Sequence, residues 1–223
     1  VVSSRRFEPA KKPTQRPGKR GGARDRNRVE RTQALCRAGL TVFLQRGVES
    51  ATVDDITKEA GVAKGSFYRY FDDKTQLVAS ILAPLVTELE RASQRCHEAI
   101  EAATHADALL AAYGELARDL GAALLGAPDV ARLYLQEHHG PDEGARGPIR
   151  SLAREIRETA VRLTETARRR KLLRPLPPRV TAVAVVGAVE ALLGAALDGE
   201  LQGDPVTVTD ALIGMVLDGV RPR

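Results

Sequence analysis

The stretch "ATVDDITKEAGVAKGSFYRYFDDKTQL", residues 51–77, decides the reading of this chain. Thr52 stands as an N-cap before Val53, and Asp54 and Asp55 follow in the first turn, where the helix dipole favours anions. Ile56 and Ala60 fall on one helical face, Gly61 breaks the pattern, and Val62 fills the corner. Ala63–Tyr70 then spans two further helical turns, and Asp73 caps the next helix, which opens with Lys74. Two short helices joined by a tight glycine turn are the sequence form of a helix-turn-helix. Phe67 and Phe71, four apart, are expected to pack inward against Phe43 and Ile56. The complementary face of the second helix carries Lys64, Ser66, Tyr68, Arg69 and Tyr70, groups that suit contact with nucleic acid.

Upstream, Leu35, Ala38, Gly39, Leu40, Val42 and Phe43 recur at helical spacing between Arg28 and Arg46, and Gly47 ends that helix. Before it, residues 1–27 read as a flexible basic arm, with Pro9, Pro13 and Pro17 and few apolar groups to bury. The formal charge of the 223 residues is +5, but it is unevenly placed. Residues 1–31 carry +8, residues 32–77 are neutral, and residues 78–223 carry −3. A polyanion such as DNA is the natural partner of such an arm; a solubilising tail has the same composition.

Downstream of Lys74 the pattern stays helical, with breaks near 104–106, 126–128, 140–148, 174–178 and 203–205. Roughly six further helices follow, about nine in total, so the fold class is all-α. Ile149, Leu152, Ile156, Ala160, Leu163 and Ala167 form one regular stripe, and Arg168–Lys171 reads as a solvated helix end. Pro84, some ten residues into the linking helix, is expected to kink or break it, and a hinge there is one use of such a bend. Val180–Leu197 has the length of a membrane span, but Glu190 near its middle opposes insertion by roughly 2.5–3.5 kcal/mol. With Gly187, Ala188, Ala191, Gly194 and Ala195 it reads instead as a close-packing subunit interface. Helices at about 179–198 and 206–219, the second striped by Ala211, Leu212, Met215 and Val216, are the expected homodimer surface, with no membrane partner.

Residues 51–77 closely resemble the DNA-binding region of TetR-family transcriptional regulators, and "VFLQRG", residues 42–47, matches the usual end of the preceding helix. Ala63 departs from the resemblance, standing where a serine or another polar cap is usual. The resemblance implies a helix-turn-helix domain over residues 28–74 and a larger effector-binding and dimerisation domain over 75–223. It implies a homodimeric repressor released from double-stranded operator DNA by a small-molecule effector. Carried over by position, Lys64, Gly65, Ser66 and Arg69 approach base edges or nearby backbone, while Thr52, Tyr68, Tyr70 and Lys74 contact phosphates.

The effector pocket that the resemblance implies would be lined mainly by Leu, Val, Ile and Ala, with Tyr113, Tyr134, His138 and Glu190 as candidate polar contacts. Aromatic residues are scarce there, which favours an aliphatic effector over a planar aromatic one. Nucleotide-binding glycine motifs and a G-x-S-x-G nucleophile elbow are absent, so no cofactor and no catalytic residue is assigned. His97, Glu101 and His105 share a spacing that suits a metal if their helix runs that far. Cys36 and Cys96 are the only thiols, too few for a disulfide scaffold, and either is open to a redox role. A basic N-terminal stretch with no apolar run behind it predicts a cytoplasmic location. Two other readings are therefore a metal- or redox-responsive regulator, and a helical interaction module with a polyanion-binding arm.

Overall fold

The computed structural model describes residues 22–201, with 211, 214 and 215 beyond them. These residues form eight α-helices and one short 3-10 turn, without a strand among them. The helices are α1 (Ala23–Arg46), α2 (Val53–Glu59), α3 (Lys64–Tyr70), α4 (Lys74–Ala102), α5 (Ala106–Gly126), α6 (Pro128–Glu137), α7 (Gly147–Arg169) and α8 (Pro178–Leu197). The 3-10 turn, Gly144–Arg146, precedes α7. Nearly all of the basic arm and the expected helix at 206–219 lie outside the described residues.

Local sequence explains most of these boundaries. At the end of α1, Gly47 adopts φ 79° and returns its N–H to the Phe43 carbonyl, a conformation that penalises any side chain. A capping box starts α2: the Thr52 hydroxyl accepts from the Asp55 amide while the Asp55 carboxylate accepts from the Thr52 amide. Gly61, at φ 63°, turns the chain between α2 and α3. Asp73 caps α4 through the Gln76 amide. As the sequence implies, Ala63 gives α3 no side-chain cap.

Two boundaries differ from expectation. The first helix begins at Ala23 rather than near Arg28, because residues 23–27 contain no glycine or proline and Gly22 is the extended residue before it. Pro84 does not break α4, which runs through it for 29 residues. The proline lies on the exposed side, where a carbonyl deprived of its helical donor meets water.

One apolar core joins the two halves of the molecule. It runs from Leu35, Phe43, Ile56, Phe67 and Phe71 through Leu77, Ile81 and Leu89 to Leu133, Ile149 and Leu152. Packing therefore continues past Lys74 into the larger domain. At the crossing of α1 and α4 the approach is close: a side-chain carbon on Gly39 would fall 2.6 Å from a Leu77 methyl. A second core, built from Cys96, Ile100, Leu109, Ala112, Leu163 and Leu172, closes the far end of α4, α5 and α7.

The helix α8 is long and apolar enough to cross a membrane by length and composition, with mean hydropathy 2.1. Within the protomer only Ala182 and Val186 of this helix are buried, while Val180 is 67% exposed and Val183 52%.

Candidate nucleic-acid interface

The helix α3 has seven residues, too few to be stable alone, so its position depends on packing. Phe67 supplies the anchor. It is fully buried and meets Phe71 at a ring separation of 5.6 Å and Tyr68 edge-on at 5.4 Å. Burial of one such side chain contributes about 1.5–3 kcal/mol. With Phe67 turned inward, Lys64, Gly65, Tyr68 and Arg69 are exposed, and Ser66 is half-buried beside them. Tyr68 remains 52% exposed, with its ring edge braced against Phe67.

Lys64 forms an exposed ion pair with Asp54 at 2.8 Å, which links the start of α3 to the first turn of α2. That hydrogen bond raises the Lys64 pKa above its ordinary value. Tyr70 is half-buried and packs against the core, so its ring serves the fold as well as the surface. Thr52 is exposed, but its hydroxyl is already bonded to Asp55 at 2.7 Å.

The Lys74 ammonium, expected at a phosphate, is engaged within the protein. Its ammonium donates to the carbonyls of Val48 (2.9 Å), Glu49 (3.0 Å) and Ala51 (2.6 Å). An ammonium has three N–H donors, and all three are used inside the protein. Lys74 fastens the turn between α1 and α2 to the start of α4.

Arg31 is a surface residue that the sequence places only within a general basic excess. It shares a concavity of about 330 Å³ with Leu35, Val62, Ala63, Ser66 and Arg69. Two guanidinium groups and a hydroxyl thus border one hollow beside α3. The separation of 35 positions between Arg31 and Ser66 hides this from a local reading.

Three of the four effector candidates meet. The Tyr134 hydroxyl donates to Glu190 Oε1 at 2.6 Å, joining α6 to α8. The His138 ring stacks on Tyr134 with centroids 4.8 Å apart, and its Nε2 stands 3.5 Å from Glu190 Oε2. That separation is too long for a good hydrogen bond, and Nε2 is buried without a partner among the described residues. Burial, helped by the Glu190 carboxylate, pushes the Tyr134 phenol well above its ordinary range. Tyr113 is elsewhere: it packs on the second core and bonds Thr164.

The metal constellation dissolves. The helix α4 ends at Ala102, and His105 instead caps α5, its Nδ1 accepting from the Ala108 amide at 3.3 Å. Glu101 pairs with Arg169 at 3.5 Å. Among the described residues no group of three or more His, Cys, Asp or Glu side chains is placed to hold a metal ion. Both cysteines are free thiols, and burial pushes Cys96 up to about 12 and Cys36 upward as well. At neutral pH such thiols stay protonated and react slowly with oxidants.

Fold and surface together define a helix-turn-helix protein whose exposed second helix is joined to a larger helical body. Residues 35–81 match the model of "Bacterial regulatory proteins, tetR family". The chain is 35% identical over 66 residues to the uncharacterized HTH-type transcriptional regulator YvdT of Bacillus subtilis (strain 168), covering 29% of this chain and 34% of that protein. It is 41% identical over 59 residues to the HTH-type transcriptional repressor DhaR of Mycobacterium sp. (strain GP1), covering 26% of this chain and 30% of that one. The chain thus spans about a third of the length of these relatives.

Solved structures extend the likeness of fold. The chain is similar to NalD, the secondary repressor of the MexAB-OprM efflux pump in Pseudomonas aeruginosa, with TM-score 0.66 and 19% identity, over 87% of this chain and 97% of that one. It is also similar to the regulator FadR from Bacillus subtilis in complex with stearoyl-CoA, with TM-score 0.62 and 18% identity, over 84% and 98% of the two chains.

Proposed function

We propose that this chain is a ligand-responsive DNA-binding transcriptional regulator, a repressor released from its operator by a small-molecule effector. The observation that carries the reading is the exposed face of α3, where Lys64, Ser66, Tyr68 and Arg69 surround a glycine and are held outward by buried Phe67. Lys64 and Arg69 supply donors for base edges, Tyr68 and Arg31 reach phosphates, and Thr52 and Tyr70 border the same surface. The unpartnered valines of α8 support a homodimer, and two reading heads suit a twofold-related pair of half-sites. Such a protein works in the cytoplasm.

The effector is a small, largely aliphatic molecule that enters the larger domain near Tyr134, His138 and Glu190. Its class is supported by the Leu-, Val- and Ala-rich helices around that cluster, and by a relative of the same fold seen with stearoyl-CoA. Operator recognition is tested on a duplex selected from a random library. Lys64→Ala or Arg69→Ala lowers affinity for the selected duplex by roughly 1–3 kcal/mol and relaxes sequence preference, whereas Tyr68→Phe weakens selected and random duplexes alike. Equal losses on both duplexes for Lys64→Ala and Arg69→Ala exclude base reading by α3.

A further inference from the structure

The turn between α1 and α2 is held from two directions. From α4, Lys74 gathers the carbonyls of Val48, Glu49 and Ala51. From the larger domain, Glu137 at the end of α6 accepts the Val48 amide on Oε1 at 2.9 Å. The other oxygen of the same carboxylate accepts from Arg146 Nε at 2.7 Å. Gln136, its neighbour, donates to the Phe43 carbonyl at 3.4 Å, and the Arg146 amide donates to Glu49 Oε1 at 3.1 Å. The Glu137 carboxylate is only 6% exposed, so its charge is held where water cannot replace these partners.

The burial of this pair is hard to explain by stability alone. A buried ion pair gains little over apolar packing of the same volume, but it fixes relative position because a misplaced charge is costly. Here the position fixed is that of the reading head against the body. The same ten-residue helix carries the second contact that matters. Tyr134, one turn before Glu137, is bonded to Glu190 on α8 and stacked on His138. So α6 is a short rod that meets α8 through Tyr134 and Arg132 and, at its end, the turn that orients α2 and α3.

We infer that Glu137 is a positioning residue for the reading head, transmitting the state of the Tyr134–Glu190 contact to the Val48 turn through α6. The inference rests on the DNA-binding reading above and adds to it the route by which the body sets affinity. Coupling between sites is a free energy, so breaking one end must be felt at the other only while the link is intact.

The test uses the full chain and a double-mutant cycle of Tyr134→Phe and Glu137→Ala, read by fluorescence anisotropy on the selected duplex. Tyr134→Phe is expected to change affinity by about fivefold or more, the lower end of ordinary coupling between sites. In the Glu137→Ala background the same change is expected to leave affinity within about twofold. Hydrogen exchange supplies the second readout. The Val48 amide, which Tyr134 does not bond, exchanges faster in Tyr134→Phe than in the unaltered chain. An equal effect of Tyr134→Phe in both backgrounds, or unchanged exchange at Val48, overturns the inference. Should Glu137→Ala fail to fold, the exchange measurement on Tyr134→Phe decides alone. Failure of the unaltered chain to prefer the selected duplex overturns the DNA-binding reading instead, and exchange at Val48 still judges the link.

Discussion

Gly65 and Lys74 show how differently two residues of one motif are used. A glycine inside a seven-residue helix costs about 1 kcal/mol relative to alanine. A side-chain carbon at Gly65 would meet no atom within 4 Å, so packing does not require the glycine. On the DNA-binding function proposed above, the glycine serves the close approach of α3 to DNA. Gly65→Ala should therefore raise unfolding free energy by up to about 1 kcal/mol while lowering affinity for the selected duplex. Thermal unfolding and anisotropy on the same sample check the pair of signs, and a stabilised variant with unchanged affinity removes the argument. Lys74 is the converse case. Its type and place suit a phosphate contact, yet its donors are consumed by three carbonyls 23 to 26 residues earlier in the chain.

At the scale of elements, what was legible in the sequence is what is decided locally. The caps at Thr52 and Asp73, the turns at Gly47 and Gly61, and the inward pair Phe67 and Phe71 involve residues a few positions apart, and each is where the sequence places it. The missing cap of α3 follows from Ala63 alone. Contacts across long separations were not legible. Val48 and Glu137 are 89 positions apart, and Tyr134 and Glu190 are 56 apart, so no spacing rule joins them. The condition on His105 was decided locally: three evenly spaced ligand residues presuppose a continuous helix, and the break expected near 104–106 falls at residues 103–105. The helix α8 carries the prediction proper to this scale. A side-chain carbon on Gly187 would meet no atom within 4 Å in the protomer, so Leu is accommodated there by the isolated chain but not by a second helix in close approach. Gly187→Leu should keep its helix content by circular dichroism and shift the protein from dimer to monomer in sedimentation equilibrium. A dimer of unchanged strength places the interface elsewhere.

For the whole molecule, the uneven charge and the continuous core belong to one account. The positive charge is concentrated before residue 32 and on the face of α3, while the remainder of the chain is mildly acidic, a distribution that suits the proposed engagement of DNA by α3. The core that runs from Phe67 to Leu152 ties the helix-turn-helix to the larger helical body, and Glu137 bonds the Val48 turn across that junction. The central claim, sequence-specific binding of DNA by α3, is tested most directly by comparing affinities of the full chain for its selected duplex and for a random duplex of equal length at physiological salt. The account predicts a preference of about a thousandfold or more, with two chains on each selected duplex. A preference near unity, with both affinities falling together as salt rises, would contradict it and leave only a basic surface that binds polyanions.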